Sequence, residues 1–188
     1  MLPSKVRANI KRASEIGKKL LLQRLIDGSS GNLSFREGNF FYITRTGAML
    51  DELDETSFVR MEIWGNGKNP LASSDQLIHR EVYRRSDFNS VLHCHGVYGV
   101  VLSFKKSEIN PLDLEGRYFV GNIKVTTCNF GSESMAEAIV KELSKRKAVI
   151  VRGHGIYTAG RSIEEAYRLA SYLEHTCEII CKLSKFSR

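Results

Sequence analysis

The sequence has little cysteine, little proline and no long apolar run. It contains 4 cysteines and 3 prolines in 188 residues. A disulfide framework needs cysteine at higher density in an exported chain, and a membrane-spanning helix needs about 20 consecutive apolar residues. The opening stretch, "MLPSKVRANIKRASEIGKKLL", places basic residues at helical intervals, unlike the apolar centre of a signal peptide. We therefore expect a cytoplasmic chain without disulfides and without a membrane partner.

Blocks of basic residues are also missing, although the formal net charge is +7. The 28 Lys and Arg residues and the 21 Asp and Glu residues are dispersed along the chain. Nucleic-acid-binding proteins usually concentrate basic charge in a patch or in a motif with aromatic residues. The pattern therefore predicts no nucleic-acid partner, and it is compatible with solubility and with attraction for a small anionic substrate.

Apolar spacing and turn residues indicate interleaved helices and strands. We expect residues 1–188 to form one domain, because a chain of this length suits a single core. Apolar residues at intervals of three and four predict helices over 4–26, 73–86, 97–104, 131–146 and 162–183. Short apolar runs bounded by turns predict strands over 32–36, 40–44, 57–64, 90–96, 122–126, 148–153 and 155–160. This order indicates the α/β or α+β class.

Serine residues precede three of the predicted helices. Ser73 is followed by Gln76 and Ser162 by Glu165, and both pairs have the spacing of a capping box. Ser132 is the third, at the start of the helical segment 131–146. The three serines are therefore predicted N-caps.

Two of the five histidines lie in the apolar segment "VLHCHGVYG" at residues 91–99. Residues two apart on a strand point to the same face, so His93 and His95 present two imidazoles together while Cys94 faces away. A third histidine, His154, lies between Gly153 and Gly155, which leave room around its ring. Three histidines with an open position are typical of a catalytic zinc site. Hydrogen-bonded core histidines explain the same pattern, and spacing does not separate the two interpretations.

Three short polar segments allow two interpretations each. "GSSGN" (28–32) and "ITRTG" (43–47) are ordinary turn or strand-end sequences, and "ASSD" (72–75) is ordinary helix-start chemistry. The same hydroxyls and backbone N–H groups also suit a phosphate group.

Taken together and in order, four segments resemble the class II aldolase and adducin family. They are "SSGNLSFR", "ITRTG", "SSDQLIHREVYRRSDFNSVLHCHG" and "VRGHGIYTAGRSIEEA". The resemblance extends from about residue 8 to residue 183. It implies a three-layer α/β/α domain with a mostly antiparallel central sheet, assembled as a homotetramer with active sites between subunits.

The resemblance also implies roles for particular residues. The implied zinc ligands are His93, His95, His154 and Asp75, and Asp75 is also the implied proton carrier. The implied phosphate-binding positions are Gly31, Asn32, Thr46, Gly47, Ser73 and Ser74. The implied reaction is the zinc-dependent cleavage of a small ketose 1-phosphate, such as fuculose 1-phosphate, to dihydroxyacetone phosphate and an aldehyde.

Two departures from the aldolase pattern leave other reactions open. Fuculose-1-phosphate aldolases carry Glu where this chain has Asp75, whereas ribulose-5-phosphate 4-epimerases carry Asp as a metal ligand. The aldolases also place a catalytic tyrosine four residues before a glycine, where this chain has Thr127 before Gly131. The C-terminal part resembles methylthioribulose-1-phosphate dehydratase. The alternatives are therefore a dehydratase, an epimerase or, in a different class, a non-catalytic assembly domain of the adducin type.

Overall fold

The computed structural model describes residues 2–128 and 132–186 as an eight-stranded sheet with helices on both faces. The helices are α1 (Ser4–Leu22), α2 (Gln76–Arg85), α3 (Val97–Ser103), α4 (Glu133–Leu143) and α5 (Ile163–Leu183). The strands are β1 (Asn32–Glu37), β2 (Phe40–Thr44), β3 (Phe58–Glu62), β4 (Ser90–Cys94), β5 (Glu108–Ile109), β6 (Ile123–Thr126), β7 (Ala148–Val151) and β8 (Gly155–Gly160). Among the described residues, no helix has both the length and the apolar character needed to cross a membrane.

The sheet is mostly antiparallel, in the order β3-β2-β1-β4-β8-β7-β6-β5. Only β6 and β7 pair in parallel among the described strands. Because side chains alternate along each strand, the two faces of the sheet form two apolar clusters. One contains residues of α1, α3 and α5, and the other contains residues of α2 and α4. This three-layer α/β/α arrangement confirms the predicted fold class.

Helix α1 ends four residues earlier than its apolar spacing predicts. Arg24 has a positive φ of 55°, its N–H donates to the carbonyl of Leu21, and the N–H of Leu25 donates to that of Leu20. This pair of hydrogen bonds is the Schellman motif, and Arg24 occupies the left-handed position that glycine usually takes. The turn brings Leu25 back into the core, where it is buried. The glycines of "DGSSGN" therefore do not end the helix.

The predicted capping box at Ser73 is wrong. Helix α2 starts at Gln76 with Asp75 at its N-cap, and no side chain caps it. The Gln76 side chain instead bonds the backbone N–H and carbonyl of Asn69, and Ser73 Oγ accepts from the N–H of Asp75. Ser73 belongs to a hydrogen-bonded turn that precedes the helix. Helix α2 therefore starts two residues later than it would if Ser73 were its N-cap.

The other two predicted N-caps are present. Ser132 accepts from the N–H of Met135, and Ser162 accepts from the N–H of Glu165. Glu165 completes no capping box, because its carboxylate accepts from the N–H of Arg161 instead. The short strand β5 and a π-helical turn at 116–120 have no counterpart among the predicted elements. The predicted start of α4 at Gly131 lies outside the described residues.

Candidate metal centre and substrate pocket

The three histidines meet at the ends of two neighbouring strands. His93 lies near the end of β4, and His95 follows that strand. Antiparallel pairing places the start of β8 beside this end, with His93 opposite Tyr157. His154 occupies the turn that joins β7 to β8, where its N–H donates to the carbonyl of Val151. Residues about 60 positions apart in the sequence therefore converge because of strand pairing.

The histidine side chains form a compact cluster. One ligand atom from each of His93, His95 and His154 lies within 4.8 Å of the others. The Nε2 atoms of His93 and His95 are 2.9 Å apart. The ring centroid of His154 lies 4.7 Å from that of His93 and 4.9 Å from that of His95. This arrangement offers three nitrogen donors to one point.

The chemistry of the donor set fits a divalent metal ion. His93 Nδ1 lies 3.0 Å from the carbonyl oxygen of Ile156, a contact that places the ring proton on Nδ1 and leaves the Nε2 lone pair for a ligand. Burial is the largest cause that lowers the pKa of each histidine in the cluster, most strongly for His93. A lowered pKa keeps imidazole neutral, which is the form that binds metal.

Two glycines make room for this cluster. A Cβ at Gly155 would lie 2.5 Å from the carbonyl oxygen of Cys94, 2.8 Å from Cε1 of His93 and 3.0 Å from Cδ2 of His95. Gly31 has a φ of +82°, and a Cβ there would lie 2.7 Å from the carbonyl oxygen of His93. Both positions therefore require glycine for the close approach of neighbouring backbone.

Asp75 lines the same cavity as the histidines and is almost fully buried, but its oxygens are not among the ligand atoms that lie within 4.8 Å of one another. Its Oδ2 accepts two hydrogen bonds of 2.8 Å, one from Asn32 Nδ2 and one from the hydroxyl of Tyr157. Its other oxygen, Oδ1, has no hydrogen-bond partner among the residues that the structure describes. Burial, and then the charge of Asp75, raise the pKa of Tyr157 well above its usual value, so the phenol stays protonated as a donor.

A cavity of about 350 Å³ opens onto the histidines and Asp75. All the site residues predicted from the sequence line it, namely Gly31, Asn32, Thr46, Gly47, Ser73, Ser74, Asp75, His93, His95 and His154. The structure thus brings the predicted residues together, while the role of each one stays a prediction.

Two of the loops that line the cavity are hydrogen-bonded to each other. Thr46 Oγ1 donates to the carbonyl of Ala72 at 2.7 Å, and the N–H of Ser73 donates to the carbonyl of Thr44 at 3.0 Å. Gly47 has a φ of +77°, which a turn at this position requires. Hydroxyl groups and turn backbone of these two loops therefore form part of the cavity lining.

Sequence reasoning missed three residues of the site. Ser29 and Arg45 line the cavity, and Arg45 is the only Lys or Arg among its described lining residues. Tyr157 lies behind the histidines, with its ring stacked on that of His93 at a centroid distance of 4.0 Å. The pairing of β4 with β8 could have placed Tyr157 beside His93, but no pattern in the sequence gives its contact with Asp75.

Other residues that the sequence singled out lie outside the cavity. Cys94 is buried in the cluster on the opposite face of the sheet. His79 is fully buried, with Nδ1 2.6 Å from Ser34 Oγ. Thr127 accepts a hydrogen bond of 3.1 Å from Arg152 Nε. None of these three side chains lines the cavity with the histidines.

Comparison with known proteins finds similarity along most of the chain. The profile of the class II aldolase and adducin N-terminal domain matches residues 11–181. An L-fuculose phosphate aldolase of Methanocaldococcus jannaschii is 31% identical over 171 residues, which cover 90% of this chain and 93% of that relative. The Escherichia coli K12 protein of the same name is 30% identical over 165 residues, covering 85% of this chain and 74% of the relative. The crystal structure of L-fuculose-1-phosphate aldolase from Thermus thermophilus superimposes with a TM-score of 0.92 at 29% identity, covering 96% of this chain and 97% of that one.

Proposed function

The chain belongs to the class II aldolase and adducin N-terminal domain family, and from this premise we propose that it is a zinc-dependent lyase that cleaves a small ketose 1-phosphate. Fuculose 1-phosphate is the first substrate to test, because the matched relatives named above are fuculose phosphate aldolases. The products would be dihydroxyacetone phosphate and an aldehyde.

One observation carries this proposal. A single cavity of about 350 Å³ is lined by three histidines and a carboxylate together with hydroxyl groups, turn backbone and an arginine. The first set of groups suits a metal ion that acts on the oxygens next to the bond that breaks, and the second set suits a phosphate group. A small phosphorylated sugar matches both sets of groups at once.

The histidines and Asp75 would hold the metal, with His93 fixed in the required tautomer by the carbonyl of Ile156. When bound, a divalent metal acts as a Lewis acid that stabilises negative charge on substrate oxygens as a carbon–carbon bond breaks. Gly31 and Gly47 would orient the phosphate through backbone N–H groups, and Ser73 and Ser74 through hydroxyl groups. Fixing the sugar at both ends lowers the entropic cost of reaching the reactive geometry.

Asp75 serves better as a metal ligand than as a mobile proton carrier. Its Oδ2 already accepts from Asn32 and Tyr157, so the carboxylate is held in one orientation with Oδ1 as the remaining acceptor. Thr127 is a poor replacement for the acid of the aldolases, because a threonine hydroxyl is far less acidic than a phenol. We therefore assign ligation to Asp75 and no proton transfer to Thr127.

The remaining predictions concern the whole molecule. We propose a single domain over residues 1–188. We also propose a cytoplasmic location, which the four free cysteines support.

For the oligomeric state, we propose a homotetramer. It is supported by large exposed apolar side chains at the end of α3 and on the segment that precedes β6, among them Phe104, Leu114 and Tyr118.

Metal analysis followed by a substrate panel tests the proposal. The purified chain should retain about one zinc per subunit after loading and dialysis, and absence of bound metal would contradict every enzymatic version and favour an adducin-type assembly role. The loaded protein is then incubated with ketose 1-phosphates and with ribulose 5-phosphate. Release of dihydroxyacetone phosphate supports the lyase, whereas loss of water or inversion without cleavage would replace it with a dehydratase or an epimerase.

Asp75→Asn tests the assignment of the carboxylate. The substitution keeps the size of the side chain but removes its charge, so we expect weaker zinc binding together with loss of turnover. Unchanged zinc affinity with loss of turnover would instead assign proton transfer to Asp75.

A further inference from the structure

Tyr157 connects two parts of the candidate metal centre. Its side chain is fully buried in β8. The hydroxyl donates to Asp75 Oδ2 at 2.8 Å, and the ring lies parallel to that of His93, with 9° between the planes and 4.0 Å between the centroids. One side chain thus contacts both an imidazole and the carboxylate of the site.

Strand pairing explains why this contact is well defined. Tyr157 lies opposite His93 in the register of β8 against β4. The preceding residue, Ile156, provides the carbonyl that bonds His93 Nδ1. Two consecutive residues of β8 therefore fix His93, one through the ring nitrogen and the other through the ring plane.

The same phenol restricts Asp75. A carboxylate held by Asn32 alone could rotate about its Cβ–Cγ bond and present either oxygen to the cavity. The second hydrogen bond to Oδ2, from Tyr157, comes from a different strand than the first. Two donors from β1 and β8 together hold the plane of the carboxylate and leave Oδ1 for a ligand.

We propose that Tyr157 is a positioning residue that couples Asp75 to His93 and fixes the orientation of the carboxylate at the metal site. This inference rests on the proposed function, since it assumes that the histidines and Asp75 bind a metal. Groups that orient metal ligands typically change metal affinity or activity by about 10- to 100-fold when they are removed. Tyr157 never needs to touch the substrate for this effect.

Tyr157→Phe removes the hydroxyl and keeps the ring that stacks on His93. Tyr83→Phe is the matched control, because Tyr83 is equally buried and its hydroxyl lies 2.6 Å from Ser34 Oγ instead of Asp75. Both variants lose one buried phenol hydrogen bond, so a general loss of stability affects both. Urea unfolding of the two variants measures that shared loss.

Cobalt(II) is the probe, because its visible absorption reports on ligand number and geometry at sites that bind zinc. We expect Tyr157→Phe to bind cobalt about tenfold more weakly and with an altered absorption band, while Tyr83→Phe resembles the wild-type chain. When the substrate is a ketose phosphate that the wild-type chain cleaves, the kcat of Tyr157→Phe should fall about tenfold while KM stays within about twofold.

A double-mutant cycle tests the route through the carboxylate. If Tyr157 acts through Asp75, Tyr157→Phe has little further effect on cobalt affinity in the Asp75→Asn background. An equal effect in both backgrounds, or a cobalt spectrum and affinity unchanged by Tyr157→Phe, overturns the inference while the proposed function stands. Failure of the wild-type chain to bind cobalt overturns both.

Discussion

Nδ1 of His93 lies 3.0 Å from the carbonyl oxygen of Ile156, and this contact determines what the opposite ring nitrogen can do. A neutral imidazole that donates from Nδ1 has its lone pair on Nε2. That Nε2 faces Nε2 of His95 at 2.9 Å. The backbone of β8 therefore prepares His93 as a ligand before any metal arrives.

Replacing His154 should reduce metal binding more than replacing a histidine elsewhere. We expect His154→Ala to lower the zinc retained after dialysis at least tenfold, because one of three nitrogen donors is lost. His175→Ala is the control, since His175 is exposed on α5 and lies outside the cluster. Elemental analysis measures the zinc content. Equal zinc retention by both variants would exclude His154 from the site.

Adding one methyl group at Gly155 should disrupt the histidines without changing any donor. The new Cβ would lie within 2.8 Å of His93 Cε1 and 2.5 Å of the carbonyl oxygen of Cys94, so the rings or the strands must move. We expect Gly155→Ala to weaken zinc binding at least tenfold in a competition assay with a chelator. Gly67→Ala is the control, since a Cβ at Gly67 has no atom within 4 Å. Native zinc affinity in Gly155→Ala would show that the site tolerates the displacement.

Local sequence patterns predict those features of the fold that depend on one strand or on one end of a helix. Alternation along β4 places His93 and Cys94 on opposite faces, as the structure shows. The serine caps of α4 and α5 depend only on the first turn of each helix, and both form. Such features need no knowledge of distant parts of the chain.

Features that depend on contacts between distant segments were not predictable from those patterns. Ser73 fails as a cap because Asn69 bonds the Gln76 side chain, and Arg24 ends α1 through a conformation uncommon for residues other than glycine. The contact of Tyr157 with Asp75 joins β8 to the start of α2, which are 82 residues apart. Residues of the site were found mainly through the ordered resemblance to a family, because spacing alone also fits core histidines.

The buried histidine of α2 should make stability depend on pH. Burial lowers the pKa of His79 to about 4, with smaller opposing effects from Asp75, which raises it, and His93, which lowers it. The unfolded chain takes up this proton below about pH 6.5, whereas the folded chain resists it until about pH 4. The contribution of His79 is therefore complete above pH 6.5, and about 3 kcal/mol is lost as the pH falls to 4.

Urea unfolding of the wild-type chain and of His79→Gln measures this effect. Between pH 7.5 and pH 4, the free energy of unfolding of the wild type should fall by about 3 kcal/mol more than that of His79→Gln. Both proteins are prepared without metal, so that zinc release does not contribute. Parallel loss of stability in the two proteins would show that His79 is not the group responsible.

Arg45 should strengthen binding of the phosphate without affecting the chemical step. It is exposed at the cavity, next to Thr46 and Gly47, and its guanidinium makes no ion pair with the described residues. A charge-assisted contact in a solvent-exposed place is worth about 1 kcal/mol, so Arg45→Gln should raise KM for the phosphorylated sugar roughly fivefold and leave kcat unchanged. Raising the salt concentration should increase the wild-type KM more steeply than that of the variant, because screening weakens only the charged contact.

Arg7→Gln is the control for this prediction. It removes the same charge from an exposed position of α1 that does not line the cavity, and it should match the wild type at every salt concentration. If Arg45→Gln and Arg7→Gln give the same KM and the same salt dependence, the general charge of the chain attracts the substrate and Arg45 makes no specific contact with the phosphate.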